Sequence, residues 1–367
     1  MDRSAVLDRP PVATSNIAEA MRPTREELTG AWRRLHRKAV TIVALMVASY
    51  WLLVLHPASP LVKLCSAIVL TVACLALATN VFHDGAHGSF SRSKRVNRIA
   101  GYGGDLLGAS SWIWRFKHNN LHHGNTNVDG IDADIAQDPF ARLAPDQPWH
   151  WWHRLQHVYM WPLYGFLPLQ WLVRSDFDDL RRGGVGDHAF PRPPSGRDRL
   201  AIVLGKFAHV SWALAIPLLF HAWWVVLLVY LGISLMVGVA LSTMFQLAHC
   251  TTLATFPDAD QPRRGDRFVE HQLATTADVR CRTRIGARAL NWLMGGLDHQ
   301  VEHHLAPKLP HTAYPIVAPR LEAACLDNGL RVRSHPSPWS AIRAHARWLR
   351  EMGTRPTAAS TSAPEPG

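Results

Sequence analysis

Cysteine is scarce and scattered in this sequence: five residues, Cys65, Cys74, Cys250, Cys281 and Cys325, with no Cys-x-x-Cys pair among them. That excludes a disulfide framework, a cysteine zinc site and a ferredoxin-type cluster built from this chain, and it fits a reducing compartment. No His-Glu-x-x-His occurs, which removes a common zinc-hydrolase arrangement. The glycine runs Gly101-Tyr102-Gly103-Gly104 and Gly183-Gly184-Val185-Gly186 do not complete a dinucleotide fingerprint. A cleavable signal peptide is not expected, because the amino terminus is polar and the first apolar run starts too late.

Charge is also thin, at 18% of residues, and it is unevenly spread. The 39 Lys+Arg against 28 Asp+Glu leave a net charge of +11, which suits nucleic acid or a membrane surface. Charge-free apolar runs beside basic stretches favour the membrane, so no nucleic-acid partner is expected. Fifteen Trp point the same way, since an indole pairs an apolar ring with a wetted N–H at the interface.

Residues 39–55 and 64–82 are nearly free of charge and are separated by a few residues around His56-Pro57-Ala58-Ser59-Pro60. Each approaches the roughly 20 residues a helix needs to span about 30 Å of hydrocarbon, so the pair predicts a helical hairpin. A second hairpin is expected over 200–220 and 222–248, with Lys206 and His209 weakening its first arm. The first 38 residues carry eight Lys/Arg and the hairpin tips carry only Lys63, which places both tips outside and both termini in the cytoplasm. Val158 to Val173, apolar but broken by Pro162 and Pro168, reads as a segment lying in the interface. The expected organisation is a cytosolic segment 1–38, a membrane domain 39–320, a cytosolic part 321–353, and a disordered Pro/Ala/Ser/Thr tail 354–367.

Histidine is the residue in excess. His83-Asp84-Gly85-Ala86-His87 follows the second apolar run, and its i and i+4 imidazoles share a helix face. His118-Asn119-Asn120-Leu121-His122-His123 and His299-Gln300-Val301-Glu302-His303-His304 both contain His-x-x-x-His-His. With 21 histidines in 367 residues, that triplet is expected by chance only about 0.07 times. It occurs twice. His249 ends the last apolar run. Any one pair reads equally well as hydrogen-bonded interior histidines, but all the clusters fall at membrane boundaries on one side.

Imidazole suits iron, zinc and copper, and eight or nine of them exceed what one ion can coordinate, so two metals are implied. An iron pair with positions open to dioxygen matches this count better than a zinc hydrolase does. Asp84, Asp298 and Glu302 adjoin the clusters and are candidates to orient imidazole N–H groups, or are solvated acids near helix ends.

From Asn80 to Pro315 the chain resembles the integral-membrane fatty acid desaturases, especially bacterial members similar to linoleoyl-type and front-end acyl desaturases. The resemblance rests on His83 to Ser91, on Trp114 to His123 with Thr126-Asn127, on Glu270 to Asp278, and on Gly295 to Leu305. It implies an all-α membrane protein: two transmembrane hairpins under a cytosolic helical cap, with a di-iron centre at their junction. Carried over position by position, the ligands are His83, His87, His118, His122, His123, His303 and His304, with His249 as the isolated ligand between the second and third boxes. Gln300 stands where some members have His and others Gln. His299 replaces a usual aromatic residue, Asp298 a usual Asn, and Ala306 a usual Phe.

The implied reaction uses dioxygen and two electrons to place a cis double bond in an acyl chain carried by CoA, carrier protein or lipid. Trp112, Trp114 and Phe116 are candidate walls for that chain. Some relatives carry a cytochrome b5 domain with His-Pro-Gly-Gly, which this sequence lacks, so a separate ferredoxin or cytochrome b5 with its reductase is the expected donor. The expected location is a bacterial cytoplasmic membrane. The alternatives are a related hydroxylase, acetylenase or ketolase, and, from another class, a histidine-rich transporter. The latter predicts ionisable residues at the bilayer midplane, where the apolar runs have almost none besides His209.

Overall fold

The computed structural model describes residues 14–261 and 265–356. The amino-terminal Arg3 and Arg9 and most of the expected disordered tail, 357–367, lie outside them. Four helices are long and apolar enough to cross a membrane: Arg25–Leu55, Pro60–His87, Gly196–Leu218 and Trp223–His249. They form two hairpins, with only four two-residue strands among the described residues.

The first helix starts well before its apolar run. Thr24 and Glu27 close a reciprocal cap, Glu27 N donating to Thr24 Oγ1 (3.2 Å) and Thr24 N to Glu27 Oε2 (2.8 Å). Its 31 residues extend about 46 Å, against about 30 Å of hydrocarbon, so its basic first turns project from the membrane. Leu35, Ala39 and Ile42 of its buried stripe pack on Ala76, Leu77 and Val81 of the second helix. The opposite face stays apolar and bare, as at Val40 (70% exposed) and Val47 (63%). Such a face is stable against lipid and costly against water.

Pro60 opens the second helix at a position where its missing N–H costs nothing. That helix runs through a wider π-helical turn, Leu77–Phe82, into His83–His87 and stops at Gly88, whose φ of +76° is the left-handed stop that glycine tolerates. Ser195 and Asp198 cap the third helix in the same reciprocal way as the first. The fourth packs Val237 and Leu241 on Leu70, Cys74, Leu75 and Ala78 of the second.

The Val158–Val173 region forms a helix, Gln156–Tyr164, and a short turn, Leu167–Gln170, with Pro162 inside the first and Pro168 near the start of the second. Gly165 lies so close to the fourth helix that a Cβ on Gly238 would stand 2.2 Å from its carbonyl oxygen. After the fourth helix come Phe268–Thr275, Arg284–Met294, Gln300–Leu305, Tyr314–Asp327 and Pro338–Gly353. Residues 320 and 321 fall within one continuous helix, and Leu321 packs with Val317 on Val301, beside the third histidine cluster.

Candidate metal centre

Three separate elements and the end of a fourth bring the histidines together. His83 and His87 sit one turn apart at the end of the second membrane helix, ring centroids 4.7 Å apart. His118 and His122 belong to a π-helical turn, Phe116–His122, whose i+5 bond runs from His123 N to His118 O (3.0 Å). This turn sets His118 and His123 edge-on to each other, Nε2 to Nε2 at 3.2 Å. His249 is the last residue of the fourth membrane helix, and His303 and His304 lie on Gln300–Leu305.

The imidazoles form overlapping groups: His83, His87, His118 and His303; His122, His249 and His304; His123 with His303 and His304; and His118 and His122 with the Asp134 carboxylate. Within each group one nitrogen per ring lies within 4.8 Å of the others, and nearly every ring is buried. All eight histidines of the carried-over set are in these groups.

Four of the eight have a tethered outer nitrogen. His122 Nδ1 donates to Asp132 (3.0 and 3.1 Å), His304 Nδ1 to Gln272 Oε1 (2.9 Å), and His249 Nδ1 to the Thr275 carbonyl (3.3 Å). His303 Nδ1 meets the Tyr314 hydroxyl at 3.1 Å. Meanwhile Nε2 of His83, His87, His303 and His304 is buried with no hydrogen-bond partner. A buried imidazole with one nitrogen tethered and the other bare is the state a metal completes, because an unpaired buried polar atom otherwise costs about 1–3 kcal/mol. The donor set therefore fits a metal site.

Electrostatics agree. Burial pushes His118 down to about 3, against the pull of Asp134, and burial with the neighbouring imidazoles holds His123, His303 and His304 well below the usual range. These rings are neutral ligands at physiological pH. At His122 burial also disfavours the charge, but Asp132 and Asp134 outweigh it and raise the affinity for a positive partner. A metal ion at Nε2 would answer the same pull.

The remaining candidates divide. Gln300 lines a void of about 20 Å³ with His118, His122, His249 and Asp134, and its buried Oε1 has no partner. His299 belongs to none of the groups: it caps the helix, pairs with Asp298 at 3.2 Å, and faces a groove on the other side. Asp84 lies 3.9 Å from His83 Nδ1, but its hydrogen bond is to His311, whose Nδ1 donates at 2.9 Å while Lys38 donates to His311 Nε2 at 3.1 Å. Glu302 is fully buried and in no group; burial pushes its carboxyl up, and burial with Glu302 nearby pushes Asp278 up as well.

Sequence reasoning missed Asp132, Asp134, Gln272 and Tyr314. The signal for two of them was the Asp132-Ala133-Asp134 pair just beyond the second cluster. Asn127 is the hinge there: at φ +58° its side chain donates to the carbonyls of His249 (2.8 Å) and Thr255 (3.1 Å), locking the turn to the fourth helix.

Two cavities adjoin the histidines. One of about 270 Å³ runs between the membrane helices from Val54 and Leu70 up to His83, Trp114 and Leu297, almost wholly apolar. A second, of about 390 Å³, shares Trp114, Trp171 and Phe245 with it and touches His118. Of the expected wall residues only Trp114 lines these cavities; Trp112 and Phe116 pack edge-on against Phe190.

The fold and site are those of a membrane oxidoreductase, and comparison with known proteins gives the family. The sequence model described as fatty acid desaturase matches residues 57–336. The sn-1 linoleoyl-lipid 6-desaturase of Arthrospira platensis is 32% identical over 325 residues, covering 88% of this chain and 86% of that one. The enzyme of the same description from Synechocystis is 33% identical over 317 residues, covering 85% and 87%. The acyl-lipid (8-3)-desaturase of Physcomitrium patens is 32% identical over 322 residues, covering 86% of this chain and 66% of its own. This chain belongs to the fatty acid desaturase family and is a fatty acyl desaturase.

Proposed function

We propose that the chain holds two irons and places a cis double bond in the acyl chain of a membrane lipid, with dioxygen as oxidant. The observation that carries this is the set of buried imidazole nitrogens without a partner, Nε2 of His83, His87, His303 and His304, of which His303 and His304 are tethered at Nδ1. His83, His87, His118 and His303 would hold one iron, and His122, His249 and His304 the other, with His123 between them and Gln300 beside the second. Iron bound there supplies the redox chemistry that removes two hydrogens from an unactivated methylene pair.

The chain's own residues do the rest. Asp132, Gln272, Tyr314 and the Thr275 carbonyl hold His122, His304, His303 and His249 each in one tautomer and orientation. The apolar cavity excludes water and lines up the tail, each buried methylene contributing about 0.8 kcal/mol. Phe245 and Leu297 wall the void next to His118, His249 and Gln300, so a methylene lying there is held against the metal side of the site. The lipid-borne substrate follows the relatives, a linoleoyl-lipid 6-desaturase and an acyl-lipid (8-3)-desaturase.

Electrons come from a separate acidic donor, a ferredoxin or cytochrome b5 with its reductase. A groove of about 870 Å³ beside Arg37, Arg284 and Arg288 offers cations that have no carboxylate partner among the described residues. Both termini face the cytoplasm of a bacterial cell by the positive-inside argument. The test is elemental analysis with Mössbauer spectroscopy of the purified protein. Two irons per chain in a histidine-rich environment are expected, and a single bound zinc would overturn the proposal.

A further inference from the structure

The second cavity reaches membrane depth. It lies between the turn Ser111–His122 and the stretch 156–175, and it meets the void beside the histidines at His118, Asp134, Phe245 and Gln246. Gly165, next to this cavity, touches Gly238 of the fourth membrane helix. Gly238 is fifteen residues from Trp223 at the outer end of that helix, a rise of about 22 Å in a hydrocarbon layer of about 30 Å. The floor of the cleft is thus inside the inner half of the bilayer.

The rim has the composition such a position requires. Phe140 (54% exposed), Phe166 (45%) and Val173 (69%) line the cavity and lie open on the surface. Among these stand Lys117, Gln137, Gln170 and Arg174. Lys117 stands 3.7 Å from Asp134, which also lines the cavity, and Arg174 donates to Asp178 (3.4 Å), but both keep further N–H donors and the glutamines donate too, which matches the acceptor-only ester carbonyl and phosphate oxygens of a glycerolipid. The cationic groove beside Arg284, by contrast, touches none of the grouped histidines.

We propose that the acyl chain of an intact membrane glycerolipid enters sideways from the cytoplasmic leaflet through this cleft, with its ester and head group held by Lys117, Gln137, Gln170 and Arg174. The chain then passes the histidines at Trp114, Trp171 and Phe245, and its methyl end occupies the cavity between the membrane helices. This deepens the desaturase reading by naming the entry and the head-group contacts, and it rests on that reading for the identity of the acyl chain.

The test is photo-crosslinking in vesicles of phosphatidylcholine doped with the same lipid bearing a diazirine either near the ester or at the acyl terminus, using the full-length metal-loaded protein. Peptide mapping is expected to place the ester-proximal label within 134–140 or 156–175 and the terminal label within 225–241. Val173→Trp, at an exposed position where a larger ring leaves the core intact, should cut both labels by about tenfold by filling the mouth. Labels on 280–292 instead, or labelling by Val173→Trp equal to wild type, would overturn the proposal. Labelling needs no turnover, so failure of the desaturase reading would show as normal labels with no new double bond.

Discussion

Asp132→Asn separates a tethered histidine centre from a mere cluster of buried rings. The Asp132 side chain is fully buried and uses both oxygens, Oδ2 accepting from His122 Nδ1 (3.0 Å) and Asn127 N (2.8 Å), and Oδ1 from His122 Nδ1 (3.1 Å) and Asp134 N (2.9 Å). Asparagine keeps one oxygen, so its NH₂ must face one of these N–H groups, donor against donor. The loss is one charge-assisted hydrogen bond, about 1.5–3 kcal/mol. Removal of such an outer partner typically weakens metal binding by about 10–100-fold, or about 1.4–2.7 kcal/mol, the same order. Asp129 is the control: its carboxylate accepts from Gln147 Nε2 (2.9 Å) and belongs to none of the histidine groups. Asp129→Asn should leave metal content unchanged. After dialysis against a mild chelator, elemental analysis should find about one metal lost per chain in Asp132→Asn and little lost in Asp129→Asn. Equal retention in the two variants, or greater loss from Asp129→Asn, would refute the tethering argument.

Two further outcomes follow from groups away from the centre. Lys206 donates to Asp176 (2.5 Å) and to the carbonyls of Gly108 and Trp171 (2.6 Å each) in a buried site. Lys206→Met leaves that carboxylate uncompensated and should cost about 3–5 kcal/mol, most of it recovered in Lys206→Met/Asp176→Asn; thermal unfolding in detergent gives the comparison, and a double variant no better than the single would contradict it. Burial disfavours charge on His299, but its bond to Asp298 raises its pKa to about 9, above the usual 6.5. Its stabilisation is therefore complete below about pH 6.5 and fades as pH climbs to about 9. His299→Gln should flatten the melting temperature across that window while leaving metal content unchanged, and an unchanged pH slope would contradict the assignment.

The parts of this account that sequence carries are those encoded locally. His83/His87 and the two His-x-x-x-His-His triplets are visible because a helical turn places ligands at fixed spacing, and the apolar runs are visible because hydrocarbon demands length. The tethers are less visible, since Gln272 reaches His304 across 32 positions and Tyr314 comes from the helix after the third cluster. His299 shows the limit of spacing: four residues before His303 it reads as a ligand, yet it faces the groove because it is the cap of the helix and not a member of it. The resemblance supplied His249, a lone residue whose partners His122 and His304 are set by tertiary packing. The lateral cleft was legible only as an interfacial segment; its contact with the fourth helix depends on Gly165 meeting Gly238, which no local pattern announces.

The most direct test is the fatty-acid profile of a heterologous bacterium supplied with an electron donor and expressing either the wild type or His303→Ala, read by gas chromatography–mass spectrometry with double-bond derivatisation. A new unsaturated acyl chain in membrane lipid, present with the wild type and absent with His303→Ala at equal membrane expression, is the predicted result. The same product from both proteins, or a hydroxylated chain in place of an unsaturated one, would contradict it.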